Sequence, residues 1–252
     1  NYTETDLLQD DIYQGRMAEQ RSYNANGNLF TKTINTWNSQ NLYEGVDFPY
    51  LAQVDNYTYD GDQSGRRTQV QYFYEENPQY GNLTGTLELG EVNLENGNDL
   101  DNADNHFTRT EYVYNSDNWL VNLPKAGYLQ DANNNILKQS WFYYDHQDYG
   151  SAPILGNLTQ KEDWLKTPAN NQPQAGNNEN PKTTFTYDAY GNMLSTTDPI
   201  GNITRQAGDR TTTVTYDPNY HLFPLATTNT LGHRTQTAYY GINGVALNNG
   251  AY

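Results

Sequence analysis

The feature that most constrains this chain is a short unit that keeps returning: an aromatic strand, a polar turn, then a second strand. Its clearest copy runs Thr183-Thr184-Phe185-Thr186-Tyr187, then Asp188-Ala189-Tyr190-Gly191-Asn192, then Met193-Leu194-Ser195-Thr196-Thr197. Thr and aromatic residues alternate with the period of a strand. In the turn, Asp188 can bond its own backbone and Gly191 can take a positive φ. The sequence continues Asp198-Pro199-Ile200-Gly201-Asn202 and then Ile203-Thr204-Arg205. Pro presets φ early in a turn and Gly201 offers the left-handed position later, which predicts strand, turn, strand, turn, strand. Tyr216-Asp217 then follows Tyr187-Asp188 by 29 positions, at the end of the strand-like Thr211 to Tyr216. A further hairpin is predicted through His221-Leu222-Phe223-Pro224-Leu225 to Thr230-Leu231-Gly232-His233-Arg234, closing at Tyr239-Tyr240. Such spacing belongs to repeat architectures.

Earlier copies are looser. Gln71-Tyr72-Phe73-Tyr74-Glu75 precedes Gly81-Asn82-Leu83, Trp141-Phe142-Tyr143-Tyr144-Asp145 precedes Gly156-Asn157-Leu158, and Tyr23-Asn24 precedes Gly27-Asn28-Leu29. One rule covers them: a strand ending in Tyr plus Asp, Glu or Asn, a turn of variable length, then Gly-Asn and an apolar residue. Variable turns on a constant frame are hairpins projecting from a common wall. Two polar stretches, 91–105 and 167–181, read as long surface loops. The second is taken as a loop and not a linker near residue 175, because the same grammar stands on both sides. A single repeat region over 1–252 is expected. The opening Asn1-Tyr2-Thr3-Glu4, with neither initiator Met nor an apolar targeting segment, reads as an internal piece of a longer protein.

Composition narrows the class. Only 35% of residues are hydrophobic and mean hydropathy is -0.95, too little aliphatic material for a conventional globular core. Yet there are 23 Tyr, which disordered chains do not carry. Tyr suits a half-buried sheet face, its ring packing while its hydroxyl meets a polar partner. The expected fold is all-β: repeated antiparallel hairpins in a curved, twisted sheet with little or no helix. A net charge of -16 repels phosphate backbones and anionic lipid, and tolerates or attracts a basic protein partner. Without cysteine there are no disulfides and no thiolate chemistry. No apolar run approaches a membrane span.

Chemistry-bearing residues are present without a catalytic pattern. His106, His146, His221 and His233 have no metal-ligand spacing. Asp188, Asp198 and Asp217 occupy turn positions where Asp serves the backbone. Asp99, Asp101 and Asp104 put carboxylates at near-alternate positions, as calcium loops do, but lack the mid-loop Gly and closing Glu of an EF-hand. Trp37, Trp119, Trp141 and Trp164 could stack on sugars if exposed, although strand packing explains them as well. No cofactor and no enzymatic activity are expected. The signature residues Tyr187, Asp188, Gly191, Asn192, Asp198, Gly201, Asn202, Tyr216, Asp217 and Gly232 are assigned architectural roles, with Tyr74 and Tyr144 as further strand anchors.

The Tyr-Asp-x-x-Gly-Asn motif at 187–192, Asp-x-x-Gly-Asn at 198–202 and Tyr216-Asp217 resemble the YD repeat of Rhs proteins. Tyr112-Val113-Tyr114-Asn115 with Trp119-Leu120-Val121-Asn122-Leu123-Pro124 is similar to a segment of the B component of insecticidal toxin complexes. So are Leu222-Phe223-Pro224 and Asn229-Thr230-Leu231-Gly232-His233. The resemblance implies a β strip spiralling into a hollow shell that encloses a toxic C-terminal polypeptide, in a secreted or surface protein. The partners it implies are the rest of the shell, the enclosed polypeptide and toxin-complex subunits. Related shells serve adhesion, so an extracellular glycan- or receptor-binding module is the alternative. Asp198-Pro199-Ile200-Gly201 has the rhythm of that family's self-cleaving aspartyl site, but it sits in an ordinary repeat turn and no cleavage core is assigned.

Overall fold

A computed structural model describes residues 1–59, 64–76, 80–204 and 210–240. It is all-β. The strands are β1 (Tyr2–Leu7), β2 (Met17–Tyr23), β3 (Leu29–Tyr43), β4 (Val46–Thr58), β5 (Arg66–Tyr74), β6 (Leu83–Val92), β7 (His106–Asn115) and β8 (Leu120–Asp131). They continue as β9 (Ile136–Tyr144), β10 (Leu158–Asp163), β11 (Lys182–Tyr187), β12 (Met193–Thr197), β13 (Thr211–Tyr216), β14 (Pro224–Thr228) and β15 (Arg234–Gln236). Order in the sheet follows order in the chain, so the fold is an antiparallel meander without crossovers. The contacts fall into two compact units. Unit 1 holds Asn1–Glu111 and Gly127–Lys138; unit 2 holds Tyr112–Ala126 and the chain from Gln139 onward.

In unit 1 the longest hairpin joins β3 to β4, in register from Thr31↔Thr58 to Tyr43↔Val46, across Glu44-Gly45 with Gly45 at φ +77°. The well-buried centre of this unit is more polar than a sheet core usually is. Asp55 is 3% exposed and accepts from Arg67 Nε at 3.0 Å, Gln69 Nε2 at 2.9 Å and Gln53 Nε2 at 2.8 Å. The Tyr57 ring lies beside them, with Lys32 Nζ 4.1 Å from its centre on one side and Arg67 at 5.2 Å. Val92, opposite Arg67, completes the cluster. Charges are tolerated there because each finds a partner.

Unit 2 has a more aromatic centre, with Trp141, Tyr144, Val113, Ala126 and Ala226 buried. It also contains the main departures from expectation. The segment predicted as turn plus strand at 198–205 is a short helix, α1 (Pro199–Thr204). Asp198 Oδ1 accepts from Gly201 N at 2.9 Å and Asn202 N donates to Asp198 O at 3.1 Å. Asp198 thus caps a helix whose first residue is Pro, a position Pro favours. Gly201 is helical and does not supply a left-handed turn position. Arg205 lies outside the described residues. The stretch 167–181 is irregular and not merely solvated: Asn170 and Asn180 are buried within it.

Candidate functional site: caged turns, tyrosine stitches and a buried carboxylate

The recurrent turn has one geometry. At Asp188 the backbone N–H donates to Asn192 O at 3.0 Å, and Gly191 N donates back to Asp188 O at 3.2 Å. The Asp188 carboxylate fills the loop: Oδ1 accepts from Tyr190 N and Asn192 N, and Oδ2 from the Asn192 side-chain amide, each at 2.9 Å. Gly191 sits at φ +83°, where an L side chain is strained. The same cage closes at Asn24–Asn28, Asp131–Asn135 and Asn229–His233. Asn134 and Gly232 take the left-handed position in the last two.

Longer turns keep the ends and enlarge the middle. Glu75 N donates to Asn82 O, and both Glu75 oxygens accept from the Asn82 amide at 2.9 Å. Asp145 N donates to Asn157 O, while its carboxylate accepts from the backbone of Ile154, Leu155, Gly156 and Asn157. Asp217 N donates to Phe223 O, and its carboxylate collects the amides of Asn219, Tyr220, Leu222 and Phe223. Burial opposes the charge of Asp145 and Asp217, but four amides outweigh it, holding Asp145 below the ordinary carboxylate range and Asp217 down at about 2. The Asn192 and Asn135 side-chain amides lead the downward shifts of Asp188 and Asp131. The motif is therefore a device for holding two strand ends together whatever the length between.

Tyrosine supplies the second half. Just before the cages at Asn24, Glu75, Asp145, Asp188 and Asp217 the register slips by one residue, pairing Tyr23 with Leu29, Tyr74 with Leu83, Tyr144 with Leu158, Tyr187 with Met193 and Tyr216 with Pro224. In unit 2 the hydroxyls then reach back to carbonyls: Tyr144 to Pro124 O at 2.8 Å, Tyr187 to Leu158 O at 2.9 Å, Tyr216 to Met193 O at 3.3 Å. Leu158 and Met193 are the residues that pair with the preceding tyrosine. Each stitch thus begins where the last ended. Burial, with Tyr187 adding to it, pushes the Tyr144 hydroxyl up to about 12, so it stays a donor. Gly232 stands at its predicted turn, and the remaining signature residue, Asn202, donates from its side chain to Lys182 O at 2.7 Å.

Sequence reasoning missed one cluster. Glu162 is 0% exposed, opposite Trp141 on β10. Its carboxylate accepts from Tyr143 Oη at 2.6 Å, Asn180 Nδ2 at 2.6 Å and Gly176 N at 3.0 Å. Burial and the Glu162 hydrogen bond raise the Tyr143 hydroxyl strongly. Asn170 joins through Asn180 Oδ1 at 2.8 Å, and Trp164 Nε1 donates to Asn170 O at 3.1 Å. These hydrogen bonds fasten 164–181 to the strands. The signal available in the sequence was a Glu between strand residues, facing a run rich in amide side chains.

The remaining candidates do not assemble into a site. Asp99 Oδ1 caps Asp101 N and its Oδ2 accepts from Asn105, Asp101 Oδ1 caps Ala103 N, and the Asp104 carboxylate lies against Gly90. Among the described residues no three carboxylate or imidazole groups come together as metal ligands. Asp99 and Asp101 turn their carboxylates onto backbone and amide donors. His221 stacks on Tyr190 at 4.0 Å, His146 N donates to Thr159, and His233 N closes the Asn229 cage. Trp141 is 3% exposed, and Trp37 and Trp164 spend their indole N–H groups on backbone carbonyls. Trp119, at 73%, stands out from its turn.

Strands in chain order, closed by side-chain cages and stitched by tyrosine, define an all-β hairpin-repeat protein. No protein-family model and no curated protein sequence matches the chain. Its fold is similar to solved toxin-complex chains. The crystal structure of TcdB2-TccC3-Cdc42 aligns with a TM-score of 0.52 at 13% identity, over 93% of this chain and 16% of that one. A Photorhabdus luminescens Tc holotoxin pore bearing a TccC3 mutation gives 0.52 at 12% identity, and TcdB2-TccC3-TEV gives 0.51 at 12%, with the same coverage. This chain thus spans about one sixth of the chains it resembles. Among the described residues no helix is long and apolar enough to cross a membrane.

Proposed function

We propose that this chain is a wall segment of an Rhs-type shell that encloses or delivers a toxic polypeptide. The observation that carries the reading is the fold likeness to toxin-complex chains over 93% of its length. The linked stitches Tyr144, Tyr187 and Tyr216 support it, because they join hairpin to hairpin and suit a wall that must stay closed. In this reading the segment is architectural and carries no catalytic step. Its partners are the rest of its own shell, an enclosed polypeptide and toxin-complex subunits, and the protein acts outside the cell or at its surface.

The test is to express the full reading frame that contains this segment and image it by electron microscopy. A hollow shell with these strands in its wall, protecting a downstream polypeptide from added protease, is the expected result. A solid or open particle whose downstream polypeptide is digested at once overturns the proposal.

A further inference from the structure

The tripeptide Asn-Gly-Asn occurs at residues 26–28 and again at 96–98, each time in a turn closed by the side chain of an earlier asparagine. At the first, Asn24 N donates to Asn28 O at 2.9 Å and Gly27 N to Asn24 O at 3.1 Å, while the Asn26 and Asn28 amides both donate to Asn24 Oδ1. The turn at Asn93–Asn98 is one residue longer. Its ends match: Asn93 N donates to Asn98 O at 2.7 Å and Gly97 N to Asn93 O at 2.9 Å. Its middle does not. Asn93 Oδ1 takes the amides of Glu95 and Asn96, which leaves the Asn98 amide for another acceptor. That acceptor is Asn96 Oδ1, at 2.9 Å. The glycines also differ in their surroundings. Nothing lies within 4 Å of where a Cβ on Gly27 would stand, whereas Arg67 Nη1 and Nη2 both lie 2.9 Å from that position on Gly97, in a guanidinium held by Asp55.

We infer that Asn96 is a self-modifying site, converting through a cyclic imide to aspartate or isoaspartate faster than Asn26 does. The Gly97 nitrogen, on losing its proton to hydroxide, attacks Asn96 Cγ. An N–Cγ bond forms, the bond from Cγ to the side-chain nitrogen breaks, and that nitrogen leaves as ammonia with a proton from water. Water then opens the ring at either carbonyl. Glycine permits the closure because no side chain blocks the approach to its nitrogen. Negative charge passes from that nitrogen to Asn96 Oδ1 on the way. The Asn98 N–H is already aimed at this oxygen, as an oxyanion donor is, and it curls the side chain forward toward Gly97. The Arg67 guanidinium favours the same charge from the glycine side. At Asn26 the shorter turn spends the corresponding amide on Asn24, and Gly27 has no such neighbour. The hydrogen bond on the glycine nitrogen, which slows the reaction, is common to both turns and cancels from the comparison. Both asparagines are exposed, so water reaches each. The product adds a carboxylate to the β6–β7 connection, and its isoaspartyl form routes the backbone through the side-chain methylene.

The test incubates the 252-residue chain at mildly alkaline pH and follows it by peptide mapping, scoring each site as asparagine, imide, aspartate or isoaspartate. Asn96 should react about tenfold faster than Asn26, within the worth of one fixed oxyanion donor. In urea, where neither turn survives, the two identical tripeptides should react alike. Asn98→Pro removes the donor and should bring the Asn96 rate down toward that of Asn26, with circular dichroism reporting an unchanged sheet. If that variant does not fold, the ratio of folded to urea rates at Asn96 decides instead. Equal rates at the two sites in the folded chain, a faster Asn26, or a preference that persists in urea would overturn the inference. So would a folded Asn98→Pro chain that reacts at Asn96 as fast as before.

Discussion

The two units solve the same problem with different chemistry. In unit 1 the tyrosine before a cage packs on rings of the preceding strand: Tyr74 lies 4.9 Å from Tyr50 and 5.8 Å from Phe48, and Tyr23 on Tyr2 at 4.6 Å. In unit 2 the corresponding tyrosines donate to backbone carbonyls. Stacking tolerates sliding, because a ring can shift across its neighbour at little cost. A hydrogen bond to a single carbonyl fixes position to a few tenths of an ångström. The buried carboxylates differ in the same sense. Asp55 of unit 1 meets a guanidinium, while the partners of Glu162 in unit 2 are a hydroxyl and two amides.

The contrast is broken most severely at those carboxylates. Asp55→Ala leaves Arg67 buried without its counter-charge and should cost about 3–5 kcal/mol. Urea unfolding would measure the loss, and hydrogen exchange should locate it in β4 and β5. Glu162→Ala should cost about 3 kcal/mol, since three buried donors lose one acceptor. Here trypsin cleavage after Lys166 should accelerate as 164–181 comes loose; an unchanged cleavage rate would refute the fastening role. Gly191→Val should cost about 1–2 kcal/mol through its positive φ, with exchange rising first in β11 and β12.

The tyrosines give the sharpest comparison at smaller scale. Tyr187→Phe should cost about 1 kcal/mol, the worth of one hydrogen bond, whereas Tyr74→Phe should change stability by less than about 0.5 kcal/mol because its ring contacts survive. Equal effects from both would erase the distinction. The last effect is a pH dependence confined to acid. The Asp217 carboxyl is held at about 2, below its unfolded value, so its stabilisation is complete above about pH 4 and drains away as pH falls toward 2. Asp217→Asn should flatten the acid limb of the melting profile in that window.

Much of this architecture could be read in the residues. Alternating Thr and aromatics in Thr183–Tyr187 admit few structures other than a strand, and the Asp-to-Asn turn follows from which side chains can reach backbone amides. What the tyrosine hydroxyls touch was not legible, because Leu158 O and Met193 O are backbone atoms whose position depends on register. The helix at Pro199–Thr204 was hidden because Asp-Pro opens a turn and caps a helix equally well. The run 167–181 misled for a related reason: amide side chains read as solvated until a buried carboxylate gives them something to bind.

The linked stitches also have a mechanical meaning. Pulled from one end, Tyr216, Tyr187 and Tyr144 carry the load in series, and each must let go before the next is strained. The stretches they span are 23, 29 and 20 residues. Each rupture therefore releases a parcel of roughly 70–100 Å of chain. Under force this unit should not fail at once but lengthen in a staircase, one hairpin per step.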